Sequence, residues 1–268
     1  AVTGVQTCAL PILGFEDLQA VFSGINAKLV NMNGSKIERV FYRQIYKNFD
    51  YLSQKNVITR IHEPHDITSA DDQSKMIYNS PLFNQIKFAD QYFFQQDESS
   101  FEKSVILKLS INKKLLSFAK EFLNTLCLSY TPIFVHIRRG DYLNLKINQE
   151  SAILPATYYR NCLDMIQDTV SNPFFIFASD DPFYVKDLFS DLRNSFISRF
   201  SSFEDFVIMT QCQGGILSAS SFSWWAAYFA NLECPDLTFL APKYWLGHGS
   251  RIWHPRFIKS SFLNYVDV

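Results

Sequence analysis

The sequence contains no long block of lysine and arginine, no Cys-x-x-Cys pair and no internal repeat or low-complexity tract. It also lacks any apolar stretch of the roughly 18 residues that a membrane-spanning helix needs. Each absence removes a class of function. Formal net charge is -1, which leaves no basic footprint for non-specific nucleic-acid binding. Five scattered cysteines (Cys8, Cys127, Cys162, Cys212 and Cys234) form an odd set without metal-site spacing. They read as reduced thiols of a cytosolic-type compartment.

What is present suits a packed domain. With 268 residues the chain is long enough for one large domain or two modest ones. Hydrophobic residues make up 47%, enough for a real core, and charged residues at 19% argue against disorder. The opening segment stands apart. Thr3-Gly4-Val5-Gln6-Thr7-Cys8-Ala9-Leu10-Pro11-Ile12 resembles translated sequencing-adapter read-through, and residues 1–12 are expected to be a non-native segment outside the fold.

Along the N-terminal half, Ile37, Val40, Phe41, Ile45 and Phe49 recur at helical spacing and predict a helix over 34–50. Val57–Ile61 reads as a strand, and 79–96 is aromatic and polar without a clear period. Ser99–Leu109 and Asn112–Cys127 read as amphipathic helices. From Pro132 the pattern is regular. Strands are predicted at Ile133–Ile137, Phe174–Ala178, Phe196–Ser198, Gly215–Ser218 and Leu237–Leu240. Helices are predicted at Ala156–Val170, from Pro182 to Leu192, from a Ser202/Asp205 capping box through Met209, and at Phe222–Asn231. This alternation predicts an α/β fold with a doubly wound parallel sheet of the Rossmann type, following a less regular N-terminal α/β part.

Three constellations carry chemistry. The run Ile133-Phe134-Val135-His136-Ile137-Arg138-Arg139-Gly140-Asp141-Tyr142 passes from apolar to charged at the carboxyl end of a predicted strand. Ligands of open α/β sheets bind at such ends. Alternation puts His136 and Arg138 on one face, opposite Ile133, Val135 and Ile137. Arg139 follows at the turn that Gly140 permits. Paired guanidiniums there suit phosphate oxygens. Arg139-Gly140-Asp141 also spells an adhesion tripeptide, but it abuts a buried strand and lacks the protruding loop adhesion requires. Next, a serine-rich turn (Ser218, Ser220, Ser221, Ser223) opens the helix bearing Trp224 and Trp225, where backbone N–H groups and hydroxyls form an anion site. Simple N-capping is the competing reading. Finally, Ser179-Asp180-Asp181-Pro182 places carboxylates at another strand end, with Asp181 expected to cap the following helix and Asp180 the better ligand. His62-Glu63-Pro64-His65 resembles a zinc motif, but Pro64 breaks the helix that motif needs. His248 and His254, among Trp245, Trp253 and Arg251, are candidates to line a cleft.

Together, His136-x-Arg138-Arg139-Gly140-Asp141-Tyr142 and Ser220-Ser221-Phe222-Ser223-Trp224-Trp225-Ala226-Ala227-Tyr228 resemble the α-1,2-fucosyltransferases, glycosyltransferase family 11. Asp205-Phe206-x-x-Met209-x-x-Cys212 and Ala241-Pro242-Lys243-x-Trp245 fit as well. The resemblance covers about residues 80 to 245. It implies a GT-B-like fold with an acceptor-side part over 13–130 and a GDP-fucose-binding domain over 131–268. It implies inverting transfer of L-fucose from GDP-β-L-fucose to a galactose 2-hydroxyl of a glycan, with no metal or other cofactor. The implied location is cytoplasmic, with peripheral attachment at the inner membrane as a variant. By the same resemblance Arg138, with His136, meets the diphosphate, and Arg139 belongs to the GDP-fucose site. Asp180 or Asp181 faces the guanine, and Ser220 and Ser221 hold phosphate oxygens. Arg138 and Asp141 are the catalytic candidates, Asp141 either as base or as the group that orients an arginine. Two other readings remain: a GDP-fucose transferase of different linkage such as α-1,6, and a non-catalytic nucleotide-sugar-binding chain. The family's Gly-Gly-Leu-Gly-Asn-Gln loop has no counterpart here, Gly214 stands where the family has His, and Ala219 where it has Asn. The chain is therefore expected to be N-terminally truncated, with weakened or absent activity in this form.

Overall fold

The structure, a computed structural model, describes residues 21–23, 44, 48, 51, 55, 59–61, 87–89, 110–255 and 258–268. Segment 1–12, most of the expected helix over 34–50, the expected helix Ser99–Leu109 and the His62 to His65 motif lie outside the described residues. The chain divides into two compact units, Ala1–Leu10 with Ile25–Phe94, and Pro11–Gly24 with Gln95–Val268.

The strands begin with β1 (Phe22–Ser23), β2 (Thr59–Ile61), β3 (Lys87–Ala89) and β4 (Ser110–Ile111). In the first unit β2 pairs in parallel with β3. The strand β3 falls in the stretch whose sequence shows no period. In the second unit β1 and β4 pair antiparallel. Helix α1 (Lys113–Leu126) follows, started by the Asn112 side chain accepting the Lys114 N–H at 3.0 Å. Its Phe118 and Phe122 share a face, as an i, i+4 pair must, and both pack edge-on against Phe200.

The remainder runs β5 (Thr131–Ile137), a 3-10 turn (Gly140–Asn144), the hairpin β6 (Lys146–Ile147) and β7 (Glu150–Ser151), α2 (Ala156–Thr169), β8 (Pro173–Ser179), α3 (Pro182–Phe189), β9 (Ser195–Ile197), α4 (Ser202–Thr210), β10 (Gly214–Ile216), α5 (Ser221–Glu233), β11 (Thr238–Pro242) and β12 (Asn264–Val266). Six of these strands form one sheet in the order β12-β11-β10-β5-β8-β9. Every neighbouring pair in it is parallel. From β5 the chain moves outward through β8 to β9, then returns to place β10 on the other side of β5. The order therefore reverses between β5 and β10, which is the topological switch point where open α/β sheets bind ligands.

Both faces of the sheet are covered. On one face Ile133, Val135 and Ile137 of β5 join Tyr158, Tyr159, Cys162 and Ile166 of α2 and Val185 and Phe189 of α3 in a buried core. On the other, Phe134 packs against Phe239 and His136 against Phe222 of α5. The alternation of β5 is thus as the sequence predicts. Helix α5 is buried from Phe222 through Ala230, as expected of a helix apolar all round. In β10, Gly215 lies against the Phe134 ring; a Cβ there would come within 2.3 Å of it.

Two expectations need correction. The capping box of α4 uses Ser201 and Glu204, not Ser202 and Asp205: Ser201 Oγ accepts the Glu204 N–H and Glu204 accepts the Ser201 N–H. Glutamate reaches back across the first turn, whereas the shorter Asp205 is taken up by Ser198. Helix α3 ends at Phe189 rather than Leu192. Strand β12 is a further parallel edge strand that the sequence reading does not contain.

Candidate functional site

The two arginines leave β5 at its carboxyl end and meet the carboxylates that leave β8 beside it. Arg138 pairs with Asp141 at 2.6 Å and with Asp180 at 2.8 Å. The Arg139 backbone N–H donates to the other oxygen of Asp180 at 2.9 Å, and its Nε donates to Asp181 at 3.0 Å. The guanidinium of Arg139 also lies 3.5 Å from the centre of the Tyr184 ring, a cation–π distance. Asp181 caps α3 by accepting the Tyr184 N–H, with Pro182 at the first helical position. Gly140 makes this closeness possible, since a Cβ would stand 2.6 Å from Asp180 Oδ2. The two guanidiniums are thus held among three carboxylates, and Arg138 is only 11% exposed while Asp141 is 55% exposed.

Across the switch point lies the turn from β10 into α5. Ser220 is the N-cap and accepts the Phe222 N–H at 3.3 Å. Ser223 Oγ donates to the carbonyls of Ser218 and Ser220. The thirteen-residue helix turns its N-terminal end, with its partial positive charge, toward the carboxyl edge of the sheet. Serine here therefore both caps and shapes an anion-compatible terminus.

Two side chains join this turn to β5. His136 Nδ1 and Ser218 Oγ share a hydrogen bond at 2.7 Å, both groups buried. Burial, assisted by the Arg138 charge, pulls the imidazole down to about 3. His136 is consequently neutral at physiological pH and brings no charge to a phosphate. Tyr142, on the 3-10 turn, donates its hydroxyl to the Ala219 carbonyl at 2.8 Å.

The structure thus gathers His136, Arg138, Arg139, Asp141, Asp180 and Asp181 around the ends of β5 and β8, and puts Ser220 and Ser221 on the adjoining turn after β10. It places His248 in the loop after β11, where its Nε2 is buried without a hydrogen-bond partner and burial lowers its pKa. Asp205, predicted to close the capping box of α4, is instead buried with its carboxyl raised to about 7. Tyr142 has no role predicted from the sequence, and no local spacing reveals a bond to a residue 77 positions away. The four described cysteines are free. Among the described residues no helix is long and apolar enough to cross a membrane.

The sequence profile of Glycosyl transferase family 11 matches residues 62–246. The O-antigen biosynthesis glycosyltransferase WbnK of Escherichia coli is 27% identical over 169 residues, covering 60% of this chain and 55% of that protein. The α-1,2-colitosyltransferase of Escherichia coli is 27% identical over 150 residues, 54% of this chain and 49% of its own length. Galactoside α-(1,2)-fucosyltransferase 2 of Rattus norvegicus is 29% identical over 124 residues, 41% and 35% of the two chains. The chain spans about half the length of the curated bacterial relatives it matches. Among solved structures, the α-1,6-fucosyltransferase NodZ co-crystallized with GDP is 13% identical with a TM-score of 0.38, covering 75% of this chain and 62% of that one. POFUT1 in complex with GDP-fucose is 11% identical with a TM-score of 0.43, covering 62% and 59%. With the family profile spanning more than half of its length, the chain belongs to glycosyltransferase family 11.

Proposed function

We propose that the chain carries the donor site of an α-1,2-fucosyltransferase, moving L-fucose from GDP-β-L-fucose to the 2-hydroxyl of a terminal galactose with inversion. The observation that supports this reading best is the position of the arginines and the serine-capped α5. They flank the place where the strand order of the six-stranded sheet reverses. The diphosphate sits between them, its oxygens on Arg138 and on the N–H groups near Ser220 and Ser221. Asp141, the more exposed partner, gives up Arg138 to the incoming phosphate. As the fucosyl–oxygen bond breaks, negative charge grows on the β-phosphate. A guanidinium already fixed there stabilises that charge without a metal ion. Each carboxylate oxygen of Asp180 and Asp181 has one partner in this structure, a hydrogen-bond donor or, for Asp180 Oδ2, the Arg138 guanidinium. The remaining lone pairs of Asp180 or Asp181 are left for guanine N1–H and N2–H₂. Acceptor binding falls to the N-terminal part.

A colitosyl donor is the second reading, favoured by the relative named as an α-1,2-colitosyltransferase. Thermal-shift titration with GDP and GDP-fucose tests the site, and a chain that shifts with neither lacks it. Incubation with GDP-fucose and lactose, read as GDP release and by product linkage, tests the reaction. Binding without release supports a non-catalytic nucleotide-sugar-binding chain, and a 6-linked product an α-1,6 enzyme.

A further inference from the structure

Tyr142 touches both halves of the candidate site. Its ring centre lies 5.7 Å from the Arg138 guanidinium carbon, within the range of a cation–π contact. Its hydroxyl donates to the carbonyl of Ala219, the buried residue immediately before the N-cap of α5. Ala219 is in turn part of a tight segment, since the Ser220 N–H returns to the Ser218 carbonyl at 2.7 Å. Among the described residues Tyr142 therefore forms a bridge from the arginine to the serine turn through one rigid side chain. A second link from β5 to this turn, His136 to Ser218, is a hydrogen bond between two buried groups.

We propose that Tyr142 is a positioning residue that sets the separation between the Arg138 guanidinium and the start of α5, and so favours a diphosphate over a monophosphate. The inference rests on the donor-site reading above. A nucleoside diphosphate engages both anchors at once and senses their spacing. A monophosphate engages one anchor and does not. The phenol remains a donor throughout the working range, because burial first, and then the neighbouring Asp141 and Asp180 charges, raise its pKa against the opposing pull of Arg138.

The test is calorimetric titration of the wild-type chain and Tyr142→Phe with GDP and with GMP, well below the unfolding temperature. Tyr142→Phe removes one oxygen and keeps the ring under Arg138. GDP affinity should fall by roughly three- to tenfold, the equivalent of one hydrogen bond's net worth, while GMP affinity stays unchanged. Tyr142→Trp, which keeps an aromatic face but moves its donor, should also lose part of the GDP preference. A merely structural role would lower the melting temperature and leave the GDP-to-GMP ratio at its wild-type value. That result in both variants overturns the inference while leaving the donor site standing. A wild-type chain that binds neither nucleotide overturns the donor site and this inference together.

Discussion

Asp205→Asn should change how stability depends on pH. The carboxyl is 9% exposed, accepts a hydrogen bond from Ser198 Oγ and sits beside Glu204. Burial raises it from 3.8 to about 7, the Ser198 bond opposes that rise, and the Glu204 charge adds to it. A folded-state pKa above the unfolded one means that the native chain holds a proton the unfolded chain has released. The associated stability is complete below about pH 4 and is lost as pH climbs through about 7. Moving from 3.8 to about 7 at about 1.36 kcal/mol per pKa unit amounts to about 4 kcal/mol. Asparagine keeps an acceptor for Ser198 and cannot ionise, so this component vanishes. Other groups titrate in the same range. His136, held down to about 3, acts in the opposite sense: its contribution is present above about 6.5 and is lost as pH falls. The informative quantity is therefore the difference between variant and wild type. Urea unfolding of both proteins from pH 4 to 8 should show the variant gaining on the wild type as pH rises, by up to about 4 kcal/mol. Two parallel profiles would refute the assignment of a protonated, buried Asp205.

Other consequences follow from the packing. Gly140→Ala should drive Asp180 off Arg138, because the new Cβ would stand 2.6 Å from its carboxylate oxygen; weakened GDP binding with a small loss of stability is expected, and unchanged binding would show that Asp180 does not hold Arg138 in place. Gly215→Ala meets the fully buried Phe134 ring at 2.3 Å, and such overpacking typically costs about 1–3 kcal/mol, visible as a lower urea midpoint at unchanged slope. Ser201→Ala removes half of the α4 capping box and should destabilise by about 1 kcal/mol, while Ser202→Ala should cost less than that.

Much of the second unit was legible because its local and tertiary demands agree. The apolar run of β5 alternates between two buried faces, as periodicity requires, and Pro182 after Asp181 opens α3 where the sequence puts it. Errors arose where two local readings competed. Ser201-Ser202-Phe203-Glu204-Asp205 offers two overlapping frames for a capping box, and the frame ending in glutamate wins because Ser198 claims the neighbouring aspartate. Strand β12 was not legible, since three residues at a sheet edge carry no period of their own. The sequence suggests that Asp141 orients an arginine, but local spacing does not reveal the pairing with Asp180 and Asp181 across two strands. Arg138 bridges Asp141 and Asp180 because the ends of β5 and β8 are adjacent, and only the strand order reveals that. The same order puts the serine turn on the opposite side of β5 from the carboxylates.

Calorimetric titration of GDP into the wild-type chain and Arg138→Ala tests the donor site most directly. Loss of a charge-assisted, fork-shaped contact to phosphate should weaken GDP by roughly ten- to a hundredfold, the worth of a hydrogen bond to a charged group. Arg138→Lys, which keeps the charge without the fork, should fall between the two. Equal GDP affinity in the wild-type chain and Arg138→Ala would contradict the placement of the diphosphate at the end of β5.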